Sequence, residues 1–236
     1  MNYYLKNKNR IWQIDFARGI AVIAMVALNA VILFSFFDLI DTDITLLMVP
    51  AMITASIFIF LAGISLVLSN RKHKDLKHSI MRGAKVFAYG LIITVVSWFV
   101  ASNYTVWFGI LQLIGLSIII SSFLIKFKKL NLLIGSLVVI IGVLIQNIIV
   151  DTPLLIWLGI KYAGFQTLDY FPLFPWLGIM LIGAAFGNIL FYRKIKMGVP
   201  ECICTRAISF LGRNSLIIYF LHVIIILIMV EILRYL

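Results

Sequence analysis

Seven stretches of this chain are almost continuously apolar over about twenty residues each, and that length limits what it can fold into. They run from Gly19 to Phe37, Leu46 to Ser69, Gly83 to Ala101, Val106 to Ile125, Leu130 to Val150, Trp176 to Tyr192 and Asn214 to Leu233. About 20 helical residues cross a hydrocarbon layer of roughly 30 Å. The runs are too long and too evenly apolar for the alternating strands of a membrane barrel, so each reads as a helix that satisfies its own backbone. The expected fold is all-α, a polytopic membrane helical bundle of about seven transmembrane helices. With 63% hydrophobic and only 12% charged residues, no stretch is left over for a separate soluble unit, and residues 1–236 read as a single domain. The first run lacks a small-residue cleavage pattern and reads as a retained helix.

The short connections carry the charge. Lys6, Lys8, Arg10 and Arg18 open the first helix; Arg71, Lys72, Lys74, Lys77, Arg82 and Lys85 join the second to the third. Lys126, Lys128 and Lys129 follow the fourth, and Arg193, Lys194, Lys196, Arg206 and Arg213 precede the last. Eighteen of the twenty basic residues thus fall on one side, leaving Lys161 and Arg234 opposite. Because Lys and Arg are retained on the cytoplasmic face, the N-terminus is expected in the cytoplasm and the C-terminus outside, in a multi-pass protein of the cell membrane. The same clustering explains the net charge of +11 without nucleic acid as a partner. Asp38, Asp41, Asp43, Asp151, Asp169 and Glu231 collect on the other side, where the longest loop, Asp151 to Pro175, is rich in aromatics and prolines. Cys202 and Cys204 form a lone C-x-C in a basic loop and read as free thiols; no metal set is present in the sequence.

Polar groups at membrane depth are costly, so those that occur are candidates for function or for holding helices together. His222 lies roughly 12 Å into the last helix, and Asn29 roughly 16 Å beyond Arg18 along the first. Both are near mid-membrane. Imidazole there can act as a general base, or simply bond a neighbouring helix. Gln112 lies near the outer end of the fourth helix, and His73 and His78 sit in a basic loop. Asp15 and Arg18, three residues apart, share a face at the cytoplasmic edge, where they can pair or hold a phosphate. Tyr104, Trp107, Asp169, Tyr170 and Trp176 approach the outer face, as an interfacial belt or as a platform for a sugar.

Four blocks, in order along the chain, resemble a known family. Arg10 to Gly19 (R-I-W-Q-I-D-F-A-R-G) resembles the opening signature R-x-x-x-x-D-x-x-R-G of membrane acyltransferases related to heparan-alpha-glucosaminide N-acetyltransferase. Phe108 to Gly115 (F-G-I-L-Q-L-I-G) is similar to its G-I/V-L-Q/H-x-I/L-G helix, and Asp169 to Gly178 (D-Y-F-P-L-F-P-W-L-G) to its loop D-Y-F-P-L-x-P-W-L-G. Phe210 to His222 resembles the closing G-x-x-S-L-x-x-Y-x-x-H helix, shared with the broader superfamily of sugar-modifying membrane acyltransferases.

The resemblance implies that acyl-CoA, acetyl-CoA above all, enters from the cytoplasm and that a sugar or amino-sugar acceptor waits on the far side. It also implies a departure. Characterised members carry an essential His in the loop after the first helix, whereas Asp38 to Leu47 here (D-L-I-D-T-D-I-T-L-L) has none; shorter relatives have His where this chain has Asn29 and Gln112. The catalytic expectation therefore falls on His222 and Asp169 as bases, with Asn29 and Gln112 as donors to an oxyanion. Arg18, Arg82, Lys85 and Arg213, with Asp15 and Asn214, are expected at the nucleotide of coenzyme A, and Asp38, Trp107, Tyr170 and Trp176 at the acceptor. Two other classes stay open: a relative that binds acyl-CoA without catalysis, and a small-molecule transporter or flippase. The lipid bilayer is the certain partner, and a homodimer is left open.

Overall fold

The computed structural model describes residues 12–72, 75–193 and 202–234. Lys6, Lys8, Arg10, His73, Lys74, Lys194 and Lys196 lie outside the described residues. Eight α-helices follow one another: α1 Trp12–Phe36, α2 Ile44–Lys72, α3 Leu76–Val100, α4 Ile110–Leu124, α5 Leu130–Ile145, α6 Leu173–Arg193, α7 Ile203–Arg213 and α8 Ser215–Arg234. Among the described residues six are long and apolar enough to cross a membrane: α1, α2, α3, α4 with the turn after it, α6 and α8. The fifth apolar run is a shorter helix of 16 residues, about 24 Å at the helical rise. The all-α membrane bundle expected from the apolar runs is the architecture observed. The basic stretch after α6, read from sequence as a loop, contains the additional helix α7.

These helices expose large apolar side chains outward, Phe99, Leu144 and Leu46 among them, and turn small residues inward. Lipid is as apolar as leucine, so close backbone approach, not hydrophobic burial, holds such helices to one another. Gly83 of α3 packs on the Gly115 carbonyl of α4, and Gly135 of α5 on the Gly178 carbonyl of α6. The same device fixes α7 under α1. Gly212 rests on the Asp15 carbonyl and Gly19 on the Ile208 carbonyl, contacts that leave no space for a Cβ. α8 runs beside α1 in the same direction, with Leu33 packed among Ile226 and Val230.

One departure from simple helical crossings positions the site. After α3 the chain turns at Ser102–Tyr104 and descends alongside that helix. Thr94 Oγ1 donates to the Val106 carbonyl at 2.7 Å, and the Val106 N–H donates to Ser97 Oγ at 3.0 Å. α4 therefore opens at Ile110 and not at Val106, level with the Gly90–Thr94 turn and roughly 9 Å below the end of α3. A second strand of chain follows it down. Thr167 Oγ1 donates to the Thr105 carbonyl, the Leu168 N–H to Tyr104 and the Phe171 N–H to Phe108, at 2.8, 3.0 and 2.9 Å. Above this recess the loop is closed by a short parallel pair, β1 Ile149–Val150 with β2 Lys161–Tyr162, and by a 3-10 turn over Pro153–Leu158.

Gly212→Val would drive a branched side chain into the Asp15 carbonyl, an overpacking that costs about 1–3 kcal/mol or more. The expected outcome is a lowered apparent unfolding temperature in detergent, with Ala207→Val on the exposed face of α7 leaving it unchanged.

Candidate functional site

The descent of the two non-helical segments carries Asp169 into the bundle. Its carboxylate Oδ2 accepts the Ile110 N–H at 3.1 Å, at the first turn of α4, where unpaired amides and the helix dipole both favour an anion. Tyr219 of α8 donates its hydroxyl to the same carboxylate. Burial pushes Asp169 up to about 6; the Ile110 and Tyr219 hydrogen bonds offset part of that rise. Gly109 is what lets the carboxylate sit so near the backbone, since a Cβ there would come within 2.5 Å of Oδ2.

From Asp169 the polar contacts continue inward. Asn29 of α1 bonds the Tyr219 hydroxyl, and its Nδ2 lies 3.4 Å from Nε2 of His222. His222 Nδ1 is 3.3 Å from the Ile218 carbonyl, an acceptor only, so the proton sits on Nδ1. Nε2 then carries the lone pair and accepts from Asn29. Tyr219 and His222, three residues apart on one face of α8, also meet ring edge to face at 4.8 Å. The result is a line of four side chains, Asp169, Tyr219, Asn29 and His222, from an end loop to the interior of two helices. Beside it lies a cavity with about 50 Å³ open to the centre of a water molecule, where one water needs roughly 10–15 Å³. Asn29, Ile93, Val106, Asp169, Tyr219 and Val223 line it. It admits a few waters or a small acyl group.

Gln112 is fully occupied in this arrangement. Its Oε1 accepts the Gly109 N–H at 2.6 Å, and its Nε2 donates to Thr94 Oγ1 at 2.7 Å and to the Trp107 carbonyl at 3.4 Å. It stitches the descending segment to α3. Trp176 is buried in the core against Phe171, 4.8 Å between rings, whereas Trp107 is 54% exposed. Tyr170 donates to the Ile156 carbonyl at 2.7 Å and lies under Lys161; burial pushes its hydroxyl up to about 12. Asp38 is exposed at the turn after α1, with a positive φ of 57° that Asp tolerates.

At the other end of the bundle, Asp15 is buried at the α1–α7 crossing and Arg18 lies one turn on, half-buried. Tyr89 of α3 packs on Phe220 of α8, 5.0 Å between rings. Lys85 and Arg82 follow one and two turns nearer the start of α3, as Leu216 and Arg213 do relative to Phe220. Arg18, Arg82, Lys85, Arg213 and Asn214 thus belong to one end of the bundle, on α1, on α3 and at the α7–α8 junction. Two members of the site escaped the reading of single residues: Tyr219 and the staple Thr94. The signal for Tyr219 was its spacing of three from His222, which puts both on one helical face.

A titration followed in the infrared should show one carboxylic-acid band that disappears as pH rises through about 6, being protonated below and ionised above. Asp169→Asn should remove it, and a midpoint near 4 would mean that the carboxylate is solvated.

The family model described as heparan-alpha-glucosaminide N-acetyltransferase, catalytic, matches residues 10–224, which include every residue of the line from Asp169 to His222. No curated protein and no solved structure matches the chain significantly. The match spans most of the sequence, so the chain belongs to the heparan-alpha-glucosaminide N-acetyltransferase catalytic family.

Proposed function

We propose that this protein moves an acyl group, acetyl in keeping with its family, from cytoplasmic acyl-CoA to a sugar or amino-sugar acceptor on the opposite side of the cell membrane. The observation that carries the reading is the line by which Tyr219 joins Asp169, from a loop at one end, to Asn29 and His222 inside the helices. A carboxylate linked through Tyr219 and Asn29 to an imidazole at membrane depth suits a proton-accepting site between two aqueous faces.

In this reading the basic end is cytoplasmic, and Arg18, Arg82, Lys85 and Arg213 hold the phosphates of the donor, with Asp15 and Asn214 at the same end fixing the α1–α7–α8 junction. Acyl-CoA supplies an activated thioester carbonyl. From Arg18 to Asn29 is about 16 Å along α1, and α3 and α8 flank that path, Tyr89 packing on Phe220. His222 Nε2 takes the proton of the acceptor's amine or hydroxyl as that group bonds to the carbonyl carbon, and returns it to the departing thiolate. Asn29 Nδ2, already within reach of Nε2, is the donor for the carbonyl oxygen. Asp169 orients Tyr219 and, above its titration near 6, accepts a hydrogen bond from the acceptor. Gln112 acts by holding the α4 start in place. Asp38, Trp107 and Tyr170 lie toward the acceptor's approach, and Trp176, buried in the core, supports the Phe171 segment behind it.

Purified protein with radiolabelled acetyl-CoA and amino sugars should transfer label. His222→Ala is expected to lower the rate 10²–10⁴-fold with the fold intact; wild-type turnover in that variant would sink the assignment. Label bound but never transferred would instead favour a non-catalytic relative. A second outcome separates binding from chemistry: Arg82→Ala should raise KM for acetyl-CoA several-fold with kcat nearly unchanged, the pattern of a lost contact made equally in ground and transition states.

A further inference from the structure

α7 has three distinct faces. At 100° per residue, Thr205, Ser209 and Gly212 lie within about 60° of one another and form the buried stripe, with Gly212 and the Ile208 carbonyl making the glycine crossing with α1. Ile203, Ala207 and Phe210 form a second stripe on the far side, equally narrow. Ile203 is 84% and Phe210 60% exposed. Arg206 and Arg213, within about 20° of each other, run along the border between the two, both exposed. A helix that buries its small polar residues and turns isoleucine and phenylalanine outward has the polarity of a surface facing acyl chains, not water.

Its height in the bundle agrees. The crossing sits at Asp15 to Gly19, where α1 changes from a charged turn bearing Asp15 and Arg18 to side chains open to lipid, Ile20 at 49% and Ile23 at 46% exposure. Trp12 and Phe16, rings 6.2 Å apart, mark the same level with the aromatics expected at a headgroup boundary. Arg18, Lys77, Arg82, Lys85, Arg206 and Arg213 belong to this end of the described helices, so the complementary surface is anionic.

We propose that α7 is a lipid-binding helix at the basic face: Ile203, Ala207 and Phe210 enter the acyl region of that leaflet, and Arg206 beside them binds the phosphate of an anionic phospholipid. The glycine crossing makes the contact consequential, because whatever holds α7 also holds the turn of α1 that carries Asp15 and Arg18. None of this depends on acyl transfer.

Two exposed thiols provide the probe. Cys202 caps the helix, and Cys202→Ser keeps a capping oxygen while leaving Cys204 as the sole thiol for an environment-sensitive fluorophore. The labelled protein is reconstituted in phosphatidylcholine vesicles containing a minor, equal fraction of either brominated phosphatidylglycerol or brominated phosphatidylcholine. The expected result is stronger quenching by the anionic lipid, with Arg206→Gln reducing that preference about fivefold and Arg206→Lys retaining most of it. Phe210→Ser should weaken quenching by both lipids. Equal quenching by the two lipids in the parent protein overturns the proposal. So does quenching by neither together with Cys204 cross-linking between two chains, which would assign the face to a second copy.

Discussion

In a hydrocarbon layer every backbone amide and carbonyl needs a partner, and each one left bare costs several kcal/mol. Helices meet the demand internally. The segments at 101–109 and 163–172 are not helical, yet they descend beside α3 to the level of its Gly90–Thr94 turn. They can do so because each supplies partners to the other: Leu168 and Phe171 donate to Tyr104 and Phe108, while side chains of Thr94, Ser97, Thr167 and Gln112 bond the backbone of Thr105, Val106, Trp107 and Gly109. The recess is a hydrogen-bonding solution first. The place it gives Asp169 is a consequence.

From that consequence the electrostatics follow. Opening α4 below the end of α3 points an uncompensated helix N-terminus into the bundle, and the carboxylate that answers it comes from the second descending strand. Burial and the α4 amides act on Asp169 in opposite directions, and burial wins, raising it to about 6. A group titrating there changes charge within the physiological range. It does so while tied through Tyr219 and Asn29, both of which line the cavity, to the imidazole of His222. Fixing both ends of such a line leaves little freedom to its middle, where Tyr219 meets Asp169, Asn29 and the His222 ring.

Much of this was legible in the chain because depth along a helix is simply a residue count. Asn29 and His222, each counted to mid-membrane from a charged end, lie side by side. Asp169 was counted from the nearest helix and so placed near the outer face; its descent depends on pairing with residues some sixty positions earlier, which no local pattern encodes. The late start of α4 has the same origin, since Val106 to Gly109 is apolar enough to read as helix and is turned aside by Ser97 and Thr94. α7 was hidden by its charge: a search for long apolar runs passes over eleven residues that include two arginines. Its Thr205, Ser209 and Gly212, at helical spacing, are the trace it left.

The two glycine-dependent contacts divide the labour of the fold. Gly109 admits the Asp169 carboxylate to the start of α4, and Gly212 admits α7 to the start of α1; the first meets a side chain held by the Ile110 amide, the second a helix backbone that cannot move aside. α1 is common to both ends: its first turns are clamped by α7, and its Asn29, about 16 Å further on, bonds the Tyr219 that holds Asp169.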